Sequence, residues 1–260
     1  MSSIKLYQGD CLELMRIIPD NSVDMVLCDL PYGTTAHPWD CILPLNVLWQ
    51  HYERIIKDRG VIVLFATEPF TSTLISSNYE LYRYSWVWYK NSGNGFLNAN
   101  YAPLKITEDI CVFSPGTVGS LSKNPIIYHP PGRYSVNIPK HNNPYSKYRM
   151  QNGYNSMGNK LNSTDGYIQE YSGYPNNVLC FDRDKNTIHP TQKPVALAEY
   201  LLETYTSEGD TVLDNCMGSG TTGVACKHLH RNFIGMELDE QYFKAAEERI
   251  NGALFPIKLF

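Results

Sequence analysis

Asp29-Leu30-Pro31-Tyr32-Gly33 sets an acid, a proline and an aromatic residue in succession directly after the apolar run Val23-Asp24-Met25-Val26-Leu27-Cys28. A run of that composition, closed by Pro and Gly, predicts a buried strand that stops at a turn. In open α/β sheets, ligands sit at the carboxyl ends of strands. Pro31 has no N–H and a fixed φ, which disfavours a helical Leu30 and directs its carbonyl outward. The Asp29 carboxylate and that carbonyl are then two acceptors beside the flat face of Tyr32. Such a set suits a planar group carrying an NH2, such as adenine or cytosine. A plain strand-to-helix turn with a capping Asp accounts for the tetrapeptide equally well.

A second constellation lies near the other end of the chain. Gly218, Gly220 and Gly223 satisfy G-x-G-x-x-G between a predicted strand at 211–214 and a helix at 224–230, and Glu237 closes the next strand, 232–237. Glycines there let backbone approach a ligand, and an acid at that place can take the two hydroxyls of a ribose. An adenosine-type cofactor is therefore expected. A dinucleotide would need several further strand–helix units, and only one strand and one helix follow. S-adenosylmethionine also carries a ribose and an adenine, and Asp214 with the hydroxyls of Thr221 and Thr222 suits its polar amino-acid tail.

The elements that must position these residues alternate. Strands are predicted at 5–8, 23–28, 61–65, 84–89 and 108–113, and helices at 11–18, 45–57 (ended by Gly60), 71–78, 194–206 and 240–250, with a glycine-rich loop at 91–100. The unbroken apolar run 61–65 reads as an interior parallel strand. From Ser114 the period is lost, and residues 114–177 hold many Asn, Tyr, Ser, Gly and Pro. A loop of that length inside a domain is uncommon unless it is functional. Net charge is −4 over 260 residues, yet the stretch 114–187 carries eight Lys/Arg against four Asp/Glu. Lys123, Arg133, Lys140, Lys147, Arg149 and Lys160 alternate there with Tyr128, Tyr134, Tyr145, Tyr148 and Tyr154, a mixture suited to phosphates and exposed base faces. A polar surface insertion without a partner is the plainer alternative.

Seven Cys with no CxxC pair indicate neither a disulfide framework nor a metal site, and reduced cytoplasmic thiols fit better. No apolar run approaches ~18 residues, so no membrane span is expected.

Taken together, these motifs resemble the amino-methylating DNA methyltransferases of the permuted β class, including phage and prophage members. Asp29-Leu30-Pro31-Tyr32 is similar to that family's D/S/N-P-P-Y/F catalytic motif, and Asp214 to Thr222 to its cofactor loop. His189-Pro190-Thr191-Gln192-Lys193-Pro194 matches a further motif, the most specific of the three. Leu30 replaces the first Pro, and Asn215-Cys216 stands where Asp/Asn-Pro-Phe is usual, so an aromatic wall near the cofactor is missing. The resemblance implies an α/β, Rossmann-like methyltransferase fold: a seven-stranded mixed sheet with helices on both faces, circularly permuted. The parts expected are a catalytic half at 1–113, a target-recognition insertion at 114–187 and a cofactor half at 188–260.

It further implies S-adenosylmethionine as cofactor and double-stranded DNA as substrate, no metal, restriction–modification as the setting, and frequent homodimers among family members. Asp29, Leu30, Pro31 and Tyr32 would be catalytic. The cofactor would be held by Asp10 and Cys11, by His189, Thr191 and Lys193, by Asp214, Met217, Gly218, Ser219, Gly220, Thr221 and Thr222, and by Glu237 and Leu238. Within that set the resemblance gives Asp10 the adenine, Glu237 the ribose, and Lys193 with Thr221 and Thr222 the methionine part. The expected chemistry is methylation of the N6 amine of a flipped-out adenine. Cytosine N4 is the near alternative, because an opening Asp leans toward adenine in this family and Ser toward cytosine. An NAD(P)-dependent oxidoreductase and an inactive DNA-binding module are more remote. A nucleophilic Cys28 or Cys41 is rejected because no Pro-Cys dipeptide occurs, and a general base at His37 or His189 is not required.

Overall fold

Two strands, each with a long buried run, set the centre of the sheet. β2 (Val23–Asp29) and β3 (Ile56–Ala66) pair in parallel, and their side chains from Val23 to Cys28 and from Val61 to Ala66 are almost wholly removed from water. Burial on both faces explains why neither strand alternates polar with apolar. The computed structural model describes residues 2–33, 41–119, 121–140, 167–185, 187–188 and 191–254.

Around that pair the sheet runs β1 (Ile4–Gln8), β10 (Asn232–Glu237), β9 (Thr211–Asp214), β2, β3, β5 (Lys105–Phe113), β4 (Tyr82–Asn94) and β8 (Val178–Cys180). The first five strands are mutually parallel and β5 is antiparallel to both neighbours. The expected sheet thus has eight strands rather than seven. The addition is β8, three residues laid parallel along β4, too short to leave a periodic signal.

The helices are α1 (Cys11–Leu14), α2 (Leu45–Ile55), α3 (Phe70–Ser77), α4 (Val195–Tyr205), α5 (Thr221–His228) and α6 (Glu240–Gly252). They pack into two buried clusters, one holding Leu197, Leu201, Tyr205, Ala225 and Ile250, the other Leu48, Tyr52, Ile55, Phe70 and Leu74.

Gly60 corrects one expectation. It does not end α2, which stops at Ile55, but lies inside β3, where a Cβ would come within 2.9 Å of the Asp24 carbonyl. Ile56 is buried and pairs with Val23, so the chain turns to strand as soon as the helix has buried Ile55. The expected glycine loop at 91–100 likewise begins only after Asn94, because β4 continues to that residue.

The chain divides into two compact units, residues 130–175 and the remainder. The 114–187 stretch read as an insertion contains the smaller unit and extends beyond it on both sides. On its two sides the Ser114 hydroxyl donates to the Gly60 carbonyl, and the Val87 N–H to the Asn177 carbonyl, so both flanks are tied into the main unit. Within the smaller unit, β6 (Tyr134–Lys140) and β7 (Tyr167–Ser172) form an antiparallel pair, and the Arg133 guanidinium lies 4.1 Å from the centre of the Tyr171 ring.

Candidate active site

β9 lies between β10 and β2, and the chain proceeds from β9 to β10 on one side and from β2 to β3 on the other. The crevice outside the carboxyl ends of such a strand pair is the ligand position of open α/β sheets. The register sets Val26 beside Leu213, which brings Asp29 and Asp214 out at the same edge. A cleft of about 610 Å³ opens there, lined by Asp29 to Tyr32 and by Asp214, Met217 to Ser219, Thr221, Thr222 and Glu237. The motifs at Asp29 and Asp214, about 185 residues apart in the chain, therefore share one cavity of ligand size.

A compact ionic network surrounds Asp29 at the end of β2. Lys193 Nζ lies 2.5 Å from Asp29 Oδ2 and 2.9 Å from Glu108 Oε1, and Lys90 Nζ lies 2.6 Å from Glu108 Oε2. The Tyr32 hydroxyl donates to Asp29 Oδ1 at 2.5 Å and to Glu108 Oε1 at 3.0 Å. Glu108 is buried, yet its two ammonium partners outweigh the cost of burial and hold its carboxyl at about 2. For Asp29 burial wins: its carboxyl stays above the usual range against the pull of Lys193, and the neighbouring Glu108 pushes it further up. Lys193 stays firmly protonated despite burial, because both carboxylates face it. Lys90 also sits 5.1 Å from the Trp88 ring.

Glu108 and Lys90 were not among the sequence candidates. β5 and β4 are antiparallel with Glu108 opposite Trp88, and this pairing carries the two charges to one point. An acid opening an apolar strand and a lysine closing one were the available signals. The Tyr32 ring stacks on Phe70 with centroids 5.3 Å apart while its hydroxyl holds Asp29. The Lys193 ammonium meets the Asp29 and Glu108 carboxylates, while its carbonyl accepts from the Thr221 hydroxyl at 3.2 Å.

On the cofactor side, the glycines separate by role. A Cβ on Gly223 would come within 2.4 Å of Ile250 and 2.7 Å of Phe233, both fully buried, and one on Gly220 within 2.9 Å of Ile250. Those two glycines let α6 pack against α5. Gly218 has φ +49 and nothing within 4 Å of a Cβ position, and it lines the cleft. It is a cradle that a side chain would fill. Its N–H donates to Glu237 Oε2 at 2.8 Å, and the Asp239 N–H donates to Glu237 Oε1, so this carboxylate is fixed by backbone at the cleft wall. Asp214 is buried, held by Thr222, the Cys216 N–H and Cys28, with no cation among them. Burial pushes its carboxyl up to about 7. A buried carboxylate in that condition suits an incoming ammonium group. Arg249 braces the loop from α6, donating to the Ser219 carbonyl and the Thr221 hydroxyl, both at 3.0 Å.

Of the remaining candidates, Leu30, Pro31 and Thr191 line the cleft. Asp10 caps α1, its carboxylate accepting from the Leu12 N–H at 2.8 Å, two residues beyond Gln8, which pairs with Glu237. Cys11 is buried next to Asn215, and Leu238 is exposed; neither lines the cleft. Asn215 turns into the core, where the Tyr52 hydroxyl donates to it at 2.6 Å. Lys123, Arg133 and Lys140 are exposed. His189, Lys147, Arg149 and Lys160, with His37, Tyr145, Tyr148 and Tyr154, lie outside the described residues.

A family model named for N6/N4 methyltransferases and described as DNA methylase matches residues 23–248. The Type II methyltransferase M.HpaI of Haemophilus parainfluenzae is 27% identical over 260 residues, covering 95% of this chain and 74% of its own length. The Type II methyltransferase M1.MboII of Moraxella bovis is 26% identical over 264 residues, covering 95% and 96%. Among solved structures, the M1.HpyAVI–SAM complex aligns with a TM-score of 0.59 at 25% identity, covering 95% of this chain and 99% of that one. The PvuII DNA methyltransferase, described as cytosine-N4-specific, aligns with a TM-score of 0.65 at 16% identity over 100% of this chain and 89% of that one, a likeness of fold.

Proposed function

This chain belongs to the N6/N4 DNA methylase family, and from that premise we propose that it methylates the N6 amine of an adenine flipped out of double-stranded DNA. The observation that carries the reading is the shared cleft, whose lining holds Asp29 and Leu30 together with Gly218 and Asp214. S-adenosylmethionine is the cofactor and supplies an activated methyl group. Asp214 would hold its ammonium, the backbone at Gly218 would pass close beneath it, and Glu237 would take its ribose hydroxyls.

The exocyclic amine of adenine is a poor nucleophile because its lone pair is delocalised into the ring. Hydrogen bonds from its two N–H groups to Asp29 and to the Leu30 carbonyl favour a pyramidal nitrogen and aim the lone pair across the cleft. Positioning and fixed charge do most of this work. Both oxygens of Asp29 already receive a donor, and Glu108 Oε1 accepts from the same two groups, Tyr32 and Lys193. Either donor can therefore yield Asp29 to the amine and keep a partner. The methylated amine is cationic, and the Asp29 carboxylate bound to it can receive its proton. The amine cannot be reached inside a duplex, so the base must leave the stack at a cost of a few kcal/mol. The exposed Lys123, Arg133 and Lys140, with Lys147, Arg149 and Lys160, would meet the phosphates, and DNA affinity would fall steeply with salt.

Adenine rather than cytosine rests on the Asp that opens the motif. Incubation with methyl-labelled S-adenosylmethionine and unmethylated genomic DNA, followed by digestion and separation of nucleosides, tests it. Label is expected in N6-methyldeoxyadenosine. Label in N4-methyldeoxycytidine would keep the site chemistry and overturn the base. No label on DNA, with stabilisation by NADH and none by S-adenosylmethionine, would replace the reading by the oxidoreductase.

Asp214 adds a pH signature. Its raised carboxyl means that the free protein carries it largely protonated below pH 7, and a bound ammonium requires it ionised. Affinity for S-adenosylmethionine should therefore weaken as pH falls below about 7, by up to roughly tenfold per pH unit, and weaken again above about 8, where the ligand's own α-ammonium loses its proton. In Asp214→Asn the slope should vanish together with most of the affinity. Calorimetric titration at several pH values reads both, and a wild-type affinity constant from pH 5 to 8 would remove Asp214 from the cofactor site.

A further inference from the structure

The loop joining β4 to β5, residues 95–104, keeps large apolar side chains in water. Leu97 is 94% exposed, Tyr101 90% and Phe96 81%. Single exposed apolar residues need no explanation, but three on one short loop mark a surface that meets something. The loop is also shaped in advance. The Asn98 N–H donates to the Gly95 carbonyl, and the Tyr101 and Ala102 N–H groups to the Asn98 carbonyl, each at 2.9 Å. The residues at its base, Asn94, Gly95, Asn98 and Lys105, line the catalytic cleft. Phe96 and Leu97 lie between Gly95 and Asn98 in the chain and so stand within roughly 7 Å of the rim. Two cations share that rim. Lys105 Nζ meets the Glu68 carbonyl at 3.2 Å and Arg183 meets Asn94 Oδ1 at 2.9 Å, and neither pairs with a carboxylate among the described residues.

We propose that Phe96 and Leu97 form a wedge that enters the base stack of duplex DNA where the target base has left it. The proposal rests on the DNA-methylation reading above. A base that reaches Asp29 must come from a duplex lying across the mouth of the cleft, so the apolar tip on the rim faces the stack, and Lys105 and Arg183 face the flanking phosphates. Apolar side chains inserted between base steps are a general means of opening a duplex, and they offset the stacking lost when a base is extruded.

The test is Phe96→Ser/Leu97→Ser, two exposed positions whose change leaves the core intact. Wild type and variant are compared on a duplex carrying a site read from the wild-type enzyme's own methylated products, and on the same duplex with an abasic position opposite the target base. On the matched duplex kcat/KM is expected to fall roughly tenfold or more, and on the abasic duplex, where the target is already loosened, to stay within about twofold of wild type. Affinity for S-adenosylmethionine should be unchanged. Equal losses on both duplexes, or none on either, would overturn the wedge, as would a loss accompanied by dissociation of a dimer. A wild-type protein that methylates no DNA would instead overturn the reading on which the wedge depends.

Discussion

Replacing Asp29 by Ala should lower kcat for DNA methylation by roughly 10³-fold, within the range that loss of one fixed polar group at a reacting centre produces, while S-adenosylmethionine binding stays within about threefold of wild type. The asymmetry follows from the cleft. Asp29 closes β2 on the catalytic side, whereas the groups assigned to the cofactor come from Asp214, the loop after β9 and the end of β10. The fold should tolerate the change, because Lys193 keeps Glu108 at 2.9 Å and Tyr32 keeps the same carboxylate at 3.0 Å. Asp29→Asn retains one acceptor oxygen but directs an NH2 at Lys193 or Tyr32, so intermediate activity is expected. Single-turnover kinetics separate chemistry from binding. A kcat within tenfold of wild type in Asp29→Ala would remove Asp29 from the reacting centre.

The second large effect is expected at Glu108, a positioning residue that touches the reaction only through Lys193, Tyr32 and Asp29. Glu108→Gln should reduce kcat by roughly 10- to 100-fold with little change in KM. Loss of a buried charge partner also destabilises, so lower activity alone would not identify the role. The pH profile does. The negative charge of Glu108 pushes the Asp29 carboxyl up; removing it lowers that pKa, and the acid limb of kcat/KM should move to lower pH. Lys90→Gln provides the control. It breaks the 2.6 Å bond to Glu108 but leaves those from Lys193 and Tyr32, so stability should fall with a smaller loss of kcat. An unmoved acid limb in Glu108→Gln, with kcat falling equally in both variants, would reduce Glu108 to a structural ion pair.

What could be read from the sequence divides along physical lines. Asp29 was legible because a buried strand that meets Pro and Gly must end there, and strand ends at the middle of an α/β sheet face the ligand. Gly218 was legible as one of three glycines, but only packing separates the open Gly218 from Gly220 and Gly223, which α6 covers. Gly60 misled because a glycine after a helical period signals a cap as readily as a close approach of backbone. Glu108 and Lys90 were passed over because a lone charge at a strand tip usually faces water. Their burial arises from the antiparallel pairing of β4 with β5 and from Lys193, more than 80 residues further along the chain. The resemblance placed Lys193 beside the methionine part of the cofactor; its carbonyl accepts from Thr221 and its ammonium meets Asp29, and no spacing rule reveals where a four-carbon side chain points.

The most direct test of the central claim is a crystal structure of the chain with a non-reactive analogue of S-adenosylmethionine and a duplex carrying its methylated site. The expected result is a single adenine outside the stack, with its exocyclic nitrogen within about 3 Å of both the Asp29 carboxylate and the Leu30 carbonyl. A target base that remains stacked, or whose amine is bound away from Asp29, would contradict the account.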